Sequence, residues 1–169
     1  ANWTASALVA GKEEDSIFVD RGSTTTDLIP VKNGRPLTQE TDFKRLGRHE
    51  LLYRGILRTN IAALMNRIEL GSIQYRLSSE FFAQTADAHL LLGNIKPEDY
   101  TCDTADGYGK SREEAARRLA RVVCADTSEL DNKEIMIMAS QIYETQRNEL
   151  AEAMNILASK HGINNIVGA

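Results

Sequence analysis

The chain has 169 residues, 42% hydrophobic and 26% charged, with a formal net charge of −4 at pH 7. That length suffices for one domain with a sizeable core, and the composition is that of an ordinary soluble globular protein rather than a disordered or membrane-embedded one. The slight acidic excess argues against a general nucleic-acid binder, which shows a basic face, and no apolar run approaches membrane-spanning length. Cys102 and Cys124 have no CxxC spacing and no nearby histidine pair, so they read as reduced, mostly buried thiols in a cytoplasmic protein, not as a zinc site or disulfide framework.

Ala1 to Ala10 read as the tail of a helix stopped by Gly11. Ile17, Phe18 and Val19 then run into Asp20, an apolar, β-branched and aromatic stretch that predicts a buried strand. Gly22 breaks it at a place where positive φ would let a ligand approach the backbone. Ser23, Thr24, Thr25 and Thr26 follow as consecutive short donors, then Asp27, and Leu28, Ile29 and Val31 resume a strand before the tight turn Lys32-Asn33-Gly34. The result is a hairpin over 17–38 with Asp20 and Asp27 on either side of a donor-rich loop. Such a loop suits phosphate, and a carboxylate at its mouth suits a divalent metal or the orientation of an attacking group. An ordinary surface turn has the same spacing, so the residues alone leave both readings open.

Thr38 to Arg48 reads as a polar loop with a short helical turn, and Glu50 to Arg58 as a strand with Gly55 at a bulge. Ile61 to Leu70 and Ser72 to Leu77 form two short strands about Gly71, with a helical turn over Ile61 to Met65 as the alternative. Ser78 or Ser79 caps a helix that runs to Leu92 and stops at Gly93; His89 on it reads as a packing histidine rather than a catalyst. Asn94 to Gly109 is a loop containing Asp103-Thr104-Ala105-Asp106-Gly107. Its two carboxylates could hold a metal or a cationic group, but an Asx-turn satisfied by its own backbone is the simpler account.

Ser111 and Glu114 form a capping box. In the helix they open, Arg112, Arg117, Arg118 and Arg121 read as a solvated face beside Glu113 and Glu114. A long helix spans Asn132 to Lys160, with a polar interruption at Gln146 and Arg147 that faces solvent or a second subunit, leaving a homo-oligomer open. Ile163 to Val167 begins a final strand, and the chain reads as cut at both ends.

Asp20-x-Gly22-Ser23-Thr24-Thr25-Thr26-Asp27 resembles the second phosphate motif of the actin/sugar-kinase/Hsp70 superfamily, in the form found in hydantoinase/oxoprolinase-like proteins. Three more segments resemble the subgroup of that family linked to tetrahydromethanopterin and methanofuran C1 metabolism. They are Glu50-Leu51-Leu52-Tyr53 with Arg58-Thr59, Ser79 to Ala83 with Thr85-Ala86-Asp87, and Asp103 to Gly107 with Arg118 to Arg121. Arg21 stands where the family pattern has an apolar residue.

The resemblance implies an α/β fold: the central part of an actin-like (ribonuclease H-like) ATPase lobe, a mixed sheet with flanking helices, incomplete at both ends. In that frame the segments are the phosphate-loop hairpin 17–38, inserted strands and helices over 50–124, the long helix 132–160 and the start of a final strand at 163–169. It further implies a transferase of methanofuran biosynthesis that condenses a furan-methyl diphosphate with γ-glutamyl-tyramine and releases diphosphate. Gly22, Ser23, Thr24, Thr25 and Thr26 would bind the leaving group. Asp20 and Asp27 would be catalytic, Asp20 with Asp103 and Asp106 would serve Mg²⁺, and the partner would be a small phosphorylated molecule. The wider superfamily implies, as alternatives, an ATP-dependent phosphotransferase, an amide-ring hydrolase, or a non-catalytic interaction module.

Overall fold

A computed structural model describes residues 14–168. In chain order they form β1 (Ser16–Arg21), β2 (Thr26–Lys32), β3 (Arg35–Pro36), α1 (Asp42–Leu46), β4 (Leu51–Leu52), α2 (Ile61–Leu64), β5 (Arg67–Leu70), β6 (Ile73–Arg76), α3 (Thr85–Leu92), a 3₁₀ turn (Pro97–Asp99), α4 (Arg112–Arg121), α5 (Asn132–His161) and β7 (Asn165–Gly168). The helix expected over Ala1 to Ala10 lies outside the described residues. The chain divides into two compact units, one running through Gly55 and resuming at Asn148, the other Ile56–Arg147.

The first unit is built on a mixed sheet in the order β3-β2-β1-β7, with β4 also paired to β2. β1 runs antiparallel to β2 and parallel to β7. Alternation sorts the side chains onto two faces. Ile17, Val19 and Leu28 pack with Ala153 and Leu157 of α5 and with Ile163, while Phe18, Ile29 and Val31 form a separate buried cluster on the other face. By the same alternation, Asp20 and Asp27 share the second face. Asn33 and Gly34 both have positive φ, the requirement of the two-residue turn predicted between β2 and β3.

The second unit holds the larger core, where Ile61, Leu64, Leu90, Leu119, Met138 and Ile142 are buried together. Asn60 accepts the Ala62 N–H and opens a single helical turn, so the alternative reading of Ile61 to Met65 is the observed one, ahead of the β5–β6 hairpin. The helix expected from Ser78 starts later, at Thr85. The Ser78 hydroxyl instead accepts the Glu80 N–H in a local turn, and the Asp87 carboxylate takes the Gln84 N–H that begins α3. The expected strand over Glu50 to Arg58 contracts to Leu51–Leu52. Gly93 ends α3 with positive φ and Ser111 and Glu114 close their capping box, both as read from sequence.

His89 is the packing histidine expected: its Nε2 pairs with Gln146 Oε1 at 2.9 Å and its ring meets Tyr143 edge-on. Gln146 is buried with that bond, so of the polar interruption in α5 only Arg147 faces solvent. It falls beside the boundary between the two units. Among the described residues, no helix is long and apolar enough to cross a membrane.

Candidate functional site

The β1–β2 turn is closed by the Gly22 N–H, which donates to the Thr25 carbonyl at 2.9 Å. Gly22 does not have positive φ, and a Cβ there would meet the Thr25 carbonyl oxygen at an ordinary 3.4 Å, so the turn does not need the conformational freedom expected of this glycine. The glycine that matters sterically is Gly55. A Cβ on it would collide with the Ser23 carbonyl and the Thr24 nitrogen. The segment after β4 therefore backs directly onto the tip of the hairpin.

The five residues predicted to bind phosphate are not equivalent. Thr26 is buried, and its hydroxyl donates to the Arg54 carbonyl at 2.7 Å. The Gly22 N–H is spent on the turn. The N–H groups of Ser23, Thr24 and Thr25 donate to nothing among the described residues, and the Ser23 and Thr24 side chains are exposed. Three consecutive amides without an acceptor, with hydroxyls beside them, are the kind of donors an anion can use.

Asp20 and Asp27 are register partners across the ladder. Arg45 of α1 reaches Asp27 Oδ1 through Nη2 at 2.5 Å, with Arg45 only 5% and Asp27 16% exposed. The same Nη2 donates to the Glu50 carbonyl, and Asp42 adds a weaker contact at 3.5 Å. Glu50, itself buried, accepts the Thr38 hydroxyl and the Gln39 N–H through Oε2, which ties down the loop before α1. The Asp20 carboxylate has no hydrogen bond or ion pair among the described residues. The hairpin thus offers one committed acid and one free acid.

Asp103 and Asp106 belong to the second unit, and Asp20 to the first, so they are described separately. Asp103 is exposed and uses its carbonyl to accept from Gln84 Nε2 at 2.6 Å. Asp106 Oδ1 accepts from the Tyr108 N–H and from Arg118 Nη1, both at 3.1 Å. Of the four arginines read as a solvated face, Arg112, Arg117 and Arg121 are exposed, but Arg118 is fully buried, and its Nε donates to Asp87 Oδ1 at 2.8 Å. Tyr100 donates its hydroxyl to the same Asp87 oxygen at 3.0 Å. Burial pushes the Asp87 carboxyl above the usual carboxylate range against the pull of Arg118. Burial, reinforced by the negative Asp87, also raises the Tyr100 hydroxyl. One Arg118 nitrogen, Nη2, has no partner among the described residues. This is a cross-bracing network joining α3, α4 and the loop between them. Sequence reading missed it because Asp87 lies 31 positions from Arg118. The available signal was that Arg118 sits one turn from both Ala115 and Val122 on the apolar stripe of α4.

Among the described residues, no group of three or more His, Cys, Asp or Glu side chains could hold a metal. The one acid free at the hairpin fits Mg²⁺ of the kind that keeps its waters and is held by one or two carboxylates together with substrate phosphates.

This is an α/β protein whose first unit combines a mixed sheet, flanking helices and an open-donor turn beside a free carboxylate. A family model described as hydantoinase/oxoprolinase matches residues 1–166, and the chain belongs to that family. It is similar to a Methanocaldococcus jannaschii protein named (4-{4-[2-(gamma-L-glutamylamino)ethyl]phenoxymethyl}furan-2-yl)methanamine synthase, with 43% identity over 169 residues, or 99% of this chain and 51% of the relative. A Methanococcus vannielii protein of the same name is 37% identical over 155 residues, covering 92% of this chain and 70% of the relative. The chain therefore spans about half the length of the first relative.

Proposed function

We propose that this chain carries the diphosphate-handling part of a transferase of methanofuran biosynthesis, which joins a furan-methyl diphosphate to the phenol of γ-glutamyl-tyramine. The observation that carries the reading is the 43% identity, across 99% of the chain, to a synthase named for that ether product. The phenol oxygen forms the new bond to the furan methylene carbon. The methylene–oxygen bond to diphosphate breaks with its electron pair on the leaving group, and the phenol loses its proton. The amides of Ser23, Thr24 and Thr25 receive the departing anion, where donors aimed at developing charge lower the barrier most. Asp20 would hold Mg²⁺ or orient the phenol, while Asp27 is held in place by Arg45. Bound Mg²⁺ would supply positive charge against the charge gathering on diphosphate.

The mixed sheet with α5 packed on one face supports reading the first unit as part of an actin-like lobe, and the resemblance to the methanofuran-linked subgroup supports a place in tetrahydromethanopterin-linked C1 metabolism. Two free cysteines, Cys102 buried as expected and Cys124 exposed against expectation, support a cytoplasmic setting. The test is to incubate the full protein with the furan-methyl diphosphate, γ-glutamyl-tyramine and Mg²⁺, and to assay diphosphate and the ether. Stoichiometric appearance of both is expected. ADP formed from added ATP without ether would instead favour the phosphotransferase or ring-hydrolase chemistry of the wider family.

A further inference from the structure

A cavity of about 280 Å³ lies in the second unit, between α4 and the loop that leads into it. Asp106 and Tyr108 of the loop line it together with Glu114, Arg117 and Arg121 of α4. Its two acids are already spent. Glu114 takes the Gly109 N–H through Oε1 at 3.1 Å and the Ser111 N–H through Oε2 at 2.9 Å. Asp106 Oδ1 takes the Tyr108 N–H and Arg118 Nη1. Its two arginines are not spent. Arg117 makes one long bond, from Nε to the Glu113 carbonyl at 3.4 Å, and the Arg121 guanidinium has no hydrogen bond or ion pair among the described residues. The Tyr108 hydroxyl has none either, and Tyr108 is 71% exposed.

Arg117 and Arg121 are four residues apart, so they stand on the same side of the helix, where like charges repel. A third guanidinium stands behind the wall. Arg118 holds Asp106 through Nη1, and its Nη2 is buried with no partner among the described residues. Size and charge set the class of ligand. The volume falls just under the roughly 300–1,000 Å³ of sites that bury a drug-sized molecule, so the hollow suits one ionic group rather than a whole organic substrate. Two guanidinium forks match a tetrahedral dianion, each offering a pair of N–H donors to its oxygens.

We infer that this cavity binds a phosphate dianion, free or as a terminal phosphomonoester, with Arg117 and Arg121 clamping its oxygens and Tyr108 adding a third donor. The site does not depend on the transferase reading, since none of the residues of the β1–β2 turn lines it. Arg117 and Arg121 are exposed, and glutamine is as good a helix former as arginine, so Arg117→Gln and Arg121→Gln leave α4 intact.

The experiment titrates the full protein, the two single variants and the double variant with inorganic phosphate and with methyl phosphate at pH 8. Acetate is the monoanion control, and sodium chloride holds the ionic strength constant. Backbone amide shifts locate the binding. Phosphate is expected to move the amides of Tyr108, Arg117 and Arg121 to saturation. Losing one charge-assisted clamp lowers affinity about tenfold, so each single variant should bind about tenfold more weakly and the double variant should not saturate at these amides. Saturation by either phosphate upholds the site, and the tighter of the two tells the free ion from the ester. Shifts confined to Gly22 to Thr26 overturn it, as do shifts that acetate or chloride reproduces and saturation that persists in the double variant.

Discussion

Asp20 and Asp27 stand opposite each other across the β1–β2 ladder, and Arg45 engages only Asp27. Two carboxylates directly opposed on one face of a sheet repel. A single guanidinium from α1 takes up one of them and leaves the other open at the mouth of the turn. The asymmetry divides a pair that looks equivalent in sequence into a structural acid and an available one.

Replacing the available acid should cost function without costing stability. Asp20→Ala is expected to remove turnover while thermal unfolding is unchanged or gains a few tenths of a kcal/mol from the lost repulsion. Rates and melting curves on the same preparation check this; a near-normal rate would take Asp20 out of the mechanism.

The structural acid should behave in the opposite way. Asp27→Ala strips the main ion-pair partner from a guanidinium that is 5% exposed, and should destabilise by about 3 kcal/mol. Urea unfolding should show a lower midpoint at unchanged slope. Converting the pair together, Asp27→Leu with Arg45→Met, should recover most of that loss.

Gly55→Ala tests the wall behind the turn. Its new methyl meets backbone rather than a movable side chain, so the hairpin tip must shift, at a cost of about 1–3 kcal/mol. Amide exchange at Gly22, whose N–H donates to the Thr25 carbonyl, should quicken, and inorganic diphosphate should bind at least about tenfold more weakly, which is about 1.4 kcal/mol. Calorimetric titration reads the second effect.

Tyr100 gives the protein an alkaline limit. Burial raises its hydroxyl above the ordinary value of 10.0, so the folded state keeps the proton after the unfolded chain has released it. Its stabilising contribution is therefore complete below pH 10 and is lost as pH climbs through the folded-state value. Ultraviolet titration should show one tyrosine ionising together with unfolding, and Tyr100→Phe should remove that coupled step.

Local signals were legible and distant partnerships were not. Asn33-Gly34, Gly93, the Ser111–Glu114 box and the span of α5 are written in contiguous residues, and each was readable as such. The donor run from Ser23 to Thr25 and the flanking acids could also be read from the chain. Which acid stays free could not, because Arg45 lies 18 residues beyond Asp27. The same limit hid Arg118, which a helix-surface pattern assigns to water, and Gln146, whose partner His89 is 57 positions away. Ser78 misled because a serine that caps a helix and one that closes a local turn look alike until the next hydrogen bond is known.

The open donors of the β1–β2 turn are main-chain amides, with the Thr26 hydroxyl turned inward to fasten the loop. A grip made of peptide groups is indifferent to which side chains decorate it. Ser23 and Thr24 can therefore drift among small polar residues without loss of hold, whereas Gly55 behind them, and the hydroxyl at 26, have no such latitude. On the proposed function, selection on this loop should fall hardest on Gly55 and Thr26, which hold the turn in shape rather than the anion.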